Sequence, residues 1–82
     1  MVIFEGEYLD GKRWKGIIKE YNHKDKLVFE GDLINGKKNG IGKIYEMDRL
    51  IYEGEFLNGK RHGKGKEYYD TEEIYRLLIN LK

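Results

Sequence analysis

Cysteine and proline are absent from this sequence, as are serine, glutamine and alanine, and threonine occurs once, at Thr71. Without cysteine there is no disulfide framework, no thiolate nucleophile and no zinc–thiolate centre. A serine or cysteine hydrolase is excluded for want of its nucleophile. No apolar run approaches the ~18 residues that cross a bilayer, and no basic start leads into a hydrophobic segment of the secretory type. A cytoplasmic location is therefore expected. An excess of one charge is lacking too: 16 basic residues oppose 15 acidic ones, a net of +1. No whole-molecule field draws the chain to nucleic acid, and no nucleic-acid partner is expected. At 82 residues there is room for one small domain, near the size where a single core barely supports folding.

What is present is glycine, 11 residues of it, and the glycines fall in a repeat. Phe4-Glu5-Gly6-Glu7, Phe29-Glu30-Gly31-Asp32 and Tyr52-Glu53-Gly54-Glu55 are one tetrapeptide three times over, spaced 25 and then 23 residues apart. Each leads to an Asx-Gly pair followed by two basic residues: Asp10-Gly11-Lys12-Arg13, Asn35-Gly36-Lys37-Lys38 and Asn58-Gly59-Lys60-Arg61. Gly16, Gly40-Ile41-Gly42 and Gly63-Lys64-Gly65 follow, then Tyr21, Tyr45 and Tyr68. Repeats are expected over about residues 2–26, 27–49 and 50–69, with a C-terminal cap over 70–82, all within a single domain of residues 1–82.

Asx-Gly between short aromatic and β-branched runs is the strongest local hairpin signal, because a type I′ turn needs positive φ at both central residues. The expected fold is all-β: an antiparallel meander of three hairpins forming a single twisted sheet or solenoid. Centring the turns on Asx-Gly pairs Gly54 with Gly63, Tyr52 with Gly65 and Glu53 with Lys64; in the second hairpin Gly31 meets Gly40 and Phe29 meets Gly42. Alternation then gathers aromatics and glycines on one face and Glu and Lys on the other. A ring lying across a cross-strand glycine covers backbone that a Cβ would block, which accounts for the two residue types recurring together.

The first repeat is one residue longer between Gly11 and Gly16, and Ile18 stands in place of its second glycine. A β-bulge near Trp14-Lys15 restores Gly6 opposite Gly16 and makes Trp14 a candidate exposed aromatic. The tail supports two readings. As a strand, favoured by the seven-residue spacing of Tyr68 and Tyr75, it buries Tyr75, Leu77, Ile79 and Leu81. As a short helix it starts at a capping box, Asp70-Thr71-Glu72-Glu73, and aligns Ile74, Leu77, Leu78 and Leu81. Either form is expected to cap one end of the array.

The run Tyr52-Glu-Gly-Glu-Phe-Leu-Asn-Gly-Lys-Arg-His-Gly-Lys-Gly closely resembles the MORN (membrane occupation and recognition nexus) repeat. The second and third units carry the whole pattern, although Leu33 stands where the family usually has an aromatic; the first is a variant, and the resemblance spans residues 2–69. It implies a hairpin array that acts in protein binding, self-association or, in some members, phosphoinositide binding, attached to membrane or cytoskeleton. It implies no cofactor, and it does not settle function by fold alone.

Catalysis finds little support in the residues themselves. The carboxylates alternate onto a solvated face, and His23 and His62 stand in turns without a second ligand at metal spacing. Gly63-Lys64-Gly65-Lys66 lacks the Gly-Lys-Ser/Thr ending of a phosphate loop. No catalytic, metal or cofactor-binding residues are expected. Two surfaces remain. The aromatic–glycine face, with Phe4, Tyr8, Phe29, Leu33, Tyr52 and Phe56 and with Trp14 beside it, is the candidate for a protein partner or a second copy, a homodimer included. The plainer reading is that these rings pack along the array. The alternative is a basic ridge of hairpin tips, Lys12, Arg13, Lys37, Lys38, Lys60 and Arg61, facing anionic phospholipid at ~1 kcal/mol per charge. Set against it, Lys and Arg after Asx-Gly serve as ordinary solubilising turn residues.

Overall fold

In the computed structural model, which describes residues 1–69 and 71–80, six strands form one antiparallel sheet in sequence order. They are β1 (Val2–Leu9), β2 (Lys12–Tyr21), β3 (Leu27–Ile34), β4 (Lys37–Glu46), β5 (Arg49–Leu57) and β6 (Lys60–Glu67), followed by a helix, α1 (Thr71–Asn80). The sheet is an open single layer. Among the described residues no helix is long and apolar enough to cross a membrane.

Each Asx-Gly pair forms a two-residue turn with positive φ at both positions: 51° and 78° at Asp10-Gly11, 55° and 74° at Asn35-Gly36, 50° and 84° at Asn58-Gly59. These are the values of a type I′ turn, whose twist matches that of the flanking strands. At the opposite edge Met47-Asp48 closes the β4–β5 connection, also with positive φ. The longer β2–β3 loop is held by Asn22, whose Oδ1 accepts from the Lys24 and Lys26 amides at 2.9 and 3.1 Å.

In the first hairpin Gly6 pairs with Gly16 and Tyr8 with Arg13, so Trp14 is the extra residue of the expected bulge. The register of the other two hairpins differs from the one expected. Gly31 pairs with Gly42, not Gly40, and Phe29 with Ile44; Gly54 pairs with Gly65, not Gly63, Tyr52 with Glu67, and Glu53 with Lys66. The cause is an irregularity behind each turn, where three residues, Asn39–Ile41 or His62–Lys64, stand opposite a single Asp32 or Glu55. Gly40 and Gly63 make the detour at φ 105° and 63°. Asp32 Oδ2 accepts from the Ile41 amide at 2.9 Å, and Glu55 Oε2 accepts from the Lys64 amide at 2.5 Å, satisfying donors that the ladder has released. An offset of two keeps every side chain on its expected face.

The tail is helical over Thr71–Asn80, so the strand that spacing favoured does not form. The segment has no glycine for a ring to cross and no turn pair, whereas its aliphatic residues recur at helical spacing. Arg76–Asn80 are exposed, and the expected contributions of Asp70 and Leu81 lie outside the described residues. Arg76 and Leu77 line a cleft of about 510 Å³ with Ile51, Tyr68 and Tyr69 at the far end of β5 and β6.

Candidate interaction surface

Among the described residues the five buried hydrophobic side chains, Ile18, Phe29, Leu33, Tyr52 and Phe56, all belong to the aromatic face and are 4–7% exposed. Their floor is glycine. A Cβ on Gly42 would lie 2.9 Å from Phe29 Cζ and 2.9 Å from Phe56 Cδ1, and one on Gly54 would lie 2.7 Å from the Tyr52 hydroxyl. Phe56 meets Phe29 edge to face at 5.2 Å between centroids and Tyr52 at 5.5 Å. The rings therefore pack on the glycines and on each other, forming a core one side chain thick.

Four of the seven candidate partner residues, Phe29, Leu33, Tyr52 and Phe56, are thus occupied within the chain, and Phe4 is half-buried against them. Tyr8 and Trp14 are different: they are 62% and 39% exposed. Both line an open cleft between the first two tips, together with Leu9, Lys12, Arg13 and Lys37.

The six basic tip residues divide into two sets, because a two-residue turn sends consecutive side chains to opposite faces. Arg13, Lys38 and Arg61 pair with Tyr8, Leu33 and Phe56 and so join the aromatic face. Each covers a ring: Arg13 over Phe4 at 5.9 Å, Lys38 over Phe29 at 4.1 Å and Arg61 over Tyr52 at 4.4 Å. Lys38 also pairs with Glu20 at 2.7 Å, and Arg61 with Glu67 at 3.0 Å. Lys12, Lys37 and Lys60 are exposed on the opposite face, paired across the turns with Leu9, Ile34 and Leu57, themselves 49, 37 and 46% exposed. Sequence reasoning grouped all six cations; alternation from the turn already separates them.

The charged face stitches successive hairpins together, with Lys19–Glu30 at 3.5 Å across β2 and β3 and Lys43–Glu53 at 3.8 Å across β4 and β5. One resolved shift in acidity lies near the tail. The Tyr69 phenol donates to Glu67, and this hydrogen bond, reinforced by the Glu67 charge, raises its pKa above the ordinary value of 10.0. Among the described residues no three His, Asp or Glu side chains converge as a metal site.

A one-layer meander of hairpins, with rings laid over glycines and cations laid over rings, is the architecture of a repeat protein built to present surface. The MORN repeat matches residues 29–45 and 52–72, and the chain belongs to the MORN repeat family. The first hairpin lies outside the matched residues, although its turn and its Gly6–Gly16 pairing follow the same plan. The MORN repeat is a non-catalytic type, found in interaction and membrane-associated modules. No match to the chain is found among curated proteins or among solved structures.

Proposed function

We propose that the chain is a non-catalytic scaffold module that docks a protein partner at the first hairpin. The observation that carries this reading is the exposure of Tyr8 and Trp14 in one cleft while Phe29, Tyr52 and Phe56 of the same face are filled from within. Three cations, Lys12, Arg13 and Lys37, against one acid, Asp10, border that cleft, which favours an acidic segment bearing an apolar anchor. The test is an NMR titration with short acidic peptides that carry one leucine or phenylalanine. Shifts should centre on residues 8–14 and 35–37 and vanish in both Trp14→Ala and Tyr8→Ala. Equal affinity in those variants refutes the reading.

A second reading rests on a separate observation. Lys12, Lys37 and Lys60 share the charged face with exposed Leu9, Ile34 and Leu57, a row of cations and aliphatics at the tips suited to an anionic phospholipid surface. Co-sedimentation with phosphatidylserine vesicles should fall with salt and in a Lys12→Glu, Lys37→Glu, Lys60→Glu variant. No binding at low salt removes it.

A further inference from the structure

The two outer strands look like inner strands whose neighbours are missing. Tyr8 occupies the repeat position of Leu33 and Phe56, which are 5% and 7% exposed against 62% for Tyr8. What buries the other two is the strand of the preceding hairpin: Leu33 pairs with Gly16 of β2, and Phe56 pairs with Gly40 of β4 and lies over Gly42. β1 stands at the edge of the sheet, with that side open. At the opposite edge of the sheet β6 carries the corresponding glycines, Gly63 and Gly65, both exposed.

We infer that the chain associates head to tail with a second copy, β6 of one molecule pairing with β1 of the next as β4 pairs with β5. Because β6 runs opposite to β1 in the meander, a copy in the same orientation continues the antiparallel alternation. Transferring the β4–β5 register, in which Gly42 meets Gly54 and Lys43 meets Glu53, places Gly65 opposite the second copy's Gly6 and Lys66 opposite its Glu5. The ion-pair ladder Lys19–Glu30, Lys43–Glu53 then gains a third rung, and among the described residues neither Lys66 nor Glu5 is in an ion pair within one chain. Tyr8 comes to rest over Gly65 and against Tyr52, as Phe56 rests over Gly42 and against Phe29.

Charge specifies this pairing over the symmetric ones. β6 carries four basic residues and one acidic residue, and β1 carries two acidic residues and no basic one. Two β6 edges repel and so do two β1 edges, while β6 against β1 attracts. Edge strands are commonly blunted by proline or by a covering element. This chain has no proline, and the lysines of β6, Lys60, Lys64 and Lys66, keep that edge from pairing with its like. A heterologous contact of this kind does not close at two copies and continues into a larger ring or an open series.

The inference rests on the interaction-module reading and shares Tyr8 with it, but its test turns on Glu5, which takes no part in the Tyr8–Trp14 cleft. Light scattering of the full chain should give a mass that rises with concentration, without a plateau at the dimer. Glu5→Lys, which faces Ile17 within the chain, should weaken association about tenfold by turning an attractive cross-strand pair into a repulsive one. Lys66→Glu should do the same, with circular dichroism verifying the fold. An equimolar mixture of the two variants should recover association, because each mismatched edge then meets its complement. A monomer at every concentration, or association indifferent to Glu5→Lys, overturns the proposal, and so does a mixture that fails to recover.

Discussion

Gly42→Ala is the most direct test of the ring-over-glycine core, because it adds one methyl group where two rings converge. The new Cβ would stand 2.9 Å from Phe29 Cζ and 2.9 Å from Phe56 Cδ1, about half an ångström inside ordinary van der Waals contact on both sides. Neither ring can withdraw freely. Phe29 lies beneath the Lys38 ammonium at 4.1 Å, and Phe56 is wedged edge to face between Phe29 and Tyr52. Overpacking of this order costs about 1–3 kcal/mol, and the reduced freedom of the unfolded chain returns about 0.4–1 kcal/mol. A net loss of about 1–2 kcal/mol should lower the melting temperature by roughly 5–15 °C for a domain of this size, read by circular dichroism. The comparison is Gly59→Ala, where nothing lies within 4 Å and only the positive φ of 84° resists the change. Phe56→Leu in the Gly42→Ala background should cost less than the sum of the two changes, since a smaller side chain makes room for the methyl. Strict additivity, or a Gly42→Ala protein as stable as the parent, would refute the packing argument.

Asp32→Ala leaves the Ile41 amide without its acceptor and should lower the urea midpoint by the equivalent of about 1–2 kcal/mol at unchanged m, with Asp32→Asn intermediate. Lys38→Met removes the cation over Phe29 and strands a half-buried Glu20, at a cost of about 1 kcal/mol. The gap from the parent should narrow as sodium chloride is raised, and a salt-independent gap would count against the electrostatic account. For Tyr69, the bond to Glu67 requires the protonated phenol, so it holds at neutral pH and is lost as pH rises through the raised pKa. An ultraviolet titration of the parent minus Tyr69→Phe should therefore show one tyrosine ionising later than an ordinary phenol; a difference midpoint at or below 10.0 contradicts it.

The turns were legible because Asx-Gly has a backbone reason to stand where it does, and the bulge at Trp14 followed from counting residues between glycines. Register in the second and third hairpins was not. Gly40 and Gly42 lie on one face by alternation, and either can oppose Gly31 until it is known which one takes positive φ. A signal was nonetheless present: the acid after each repeat glycine, Asp32 or Glu55, is the acceptor that a widened loop of backbone needs. The tail carried helical and strand spacings at once, and only the missing glycine floor separated them. For the site, residue type identified the aromatic face, but how fully those rings are used within the chain depends on the neighbouring hairpin, which a single repeat does not reveal. The division of the six cations was derivable, since a two-residue turn fixes which of two adjacent side chains shares the aromatic face.

Ring burial in this sheet has a direction, and the direction governs how it should come apart. Leu33 sits against the glycine of β2 and Phe56 over that of β4, so each hairpin is secured by a residue it lays on the hairpin before it. Stability then resembles a chain of nearest-neighbour terms, not one pooled core. Phe56→Ala removes the contacts of β5 with Phe29 and the cover of Gly42, a loss of about 3–5 kcal/mol for a buried phenylalanine. If the terms are local, hydrogen exchange in that variant should accelerate in β5 and β6 while the β1–β2 and β2–β3 ladders, whose packing involves Ile18 and Leu33, keep more of their protection. A uniform loss of protection across all six strands would mean that the sheet opens as one unit. The directional account would then fail, and with it the reason for regarding β1 and β6 as complementary ends.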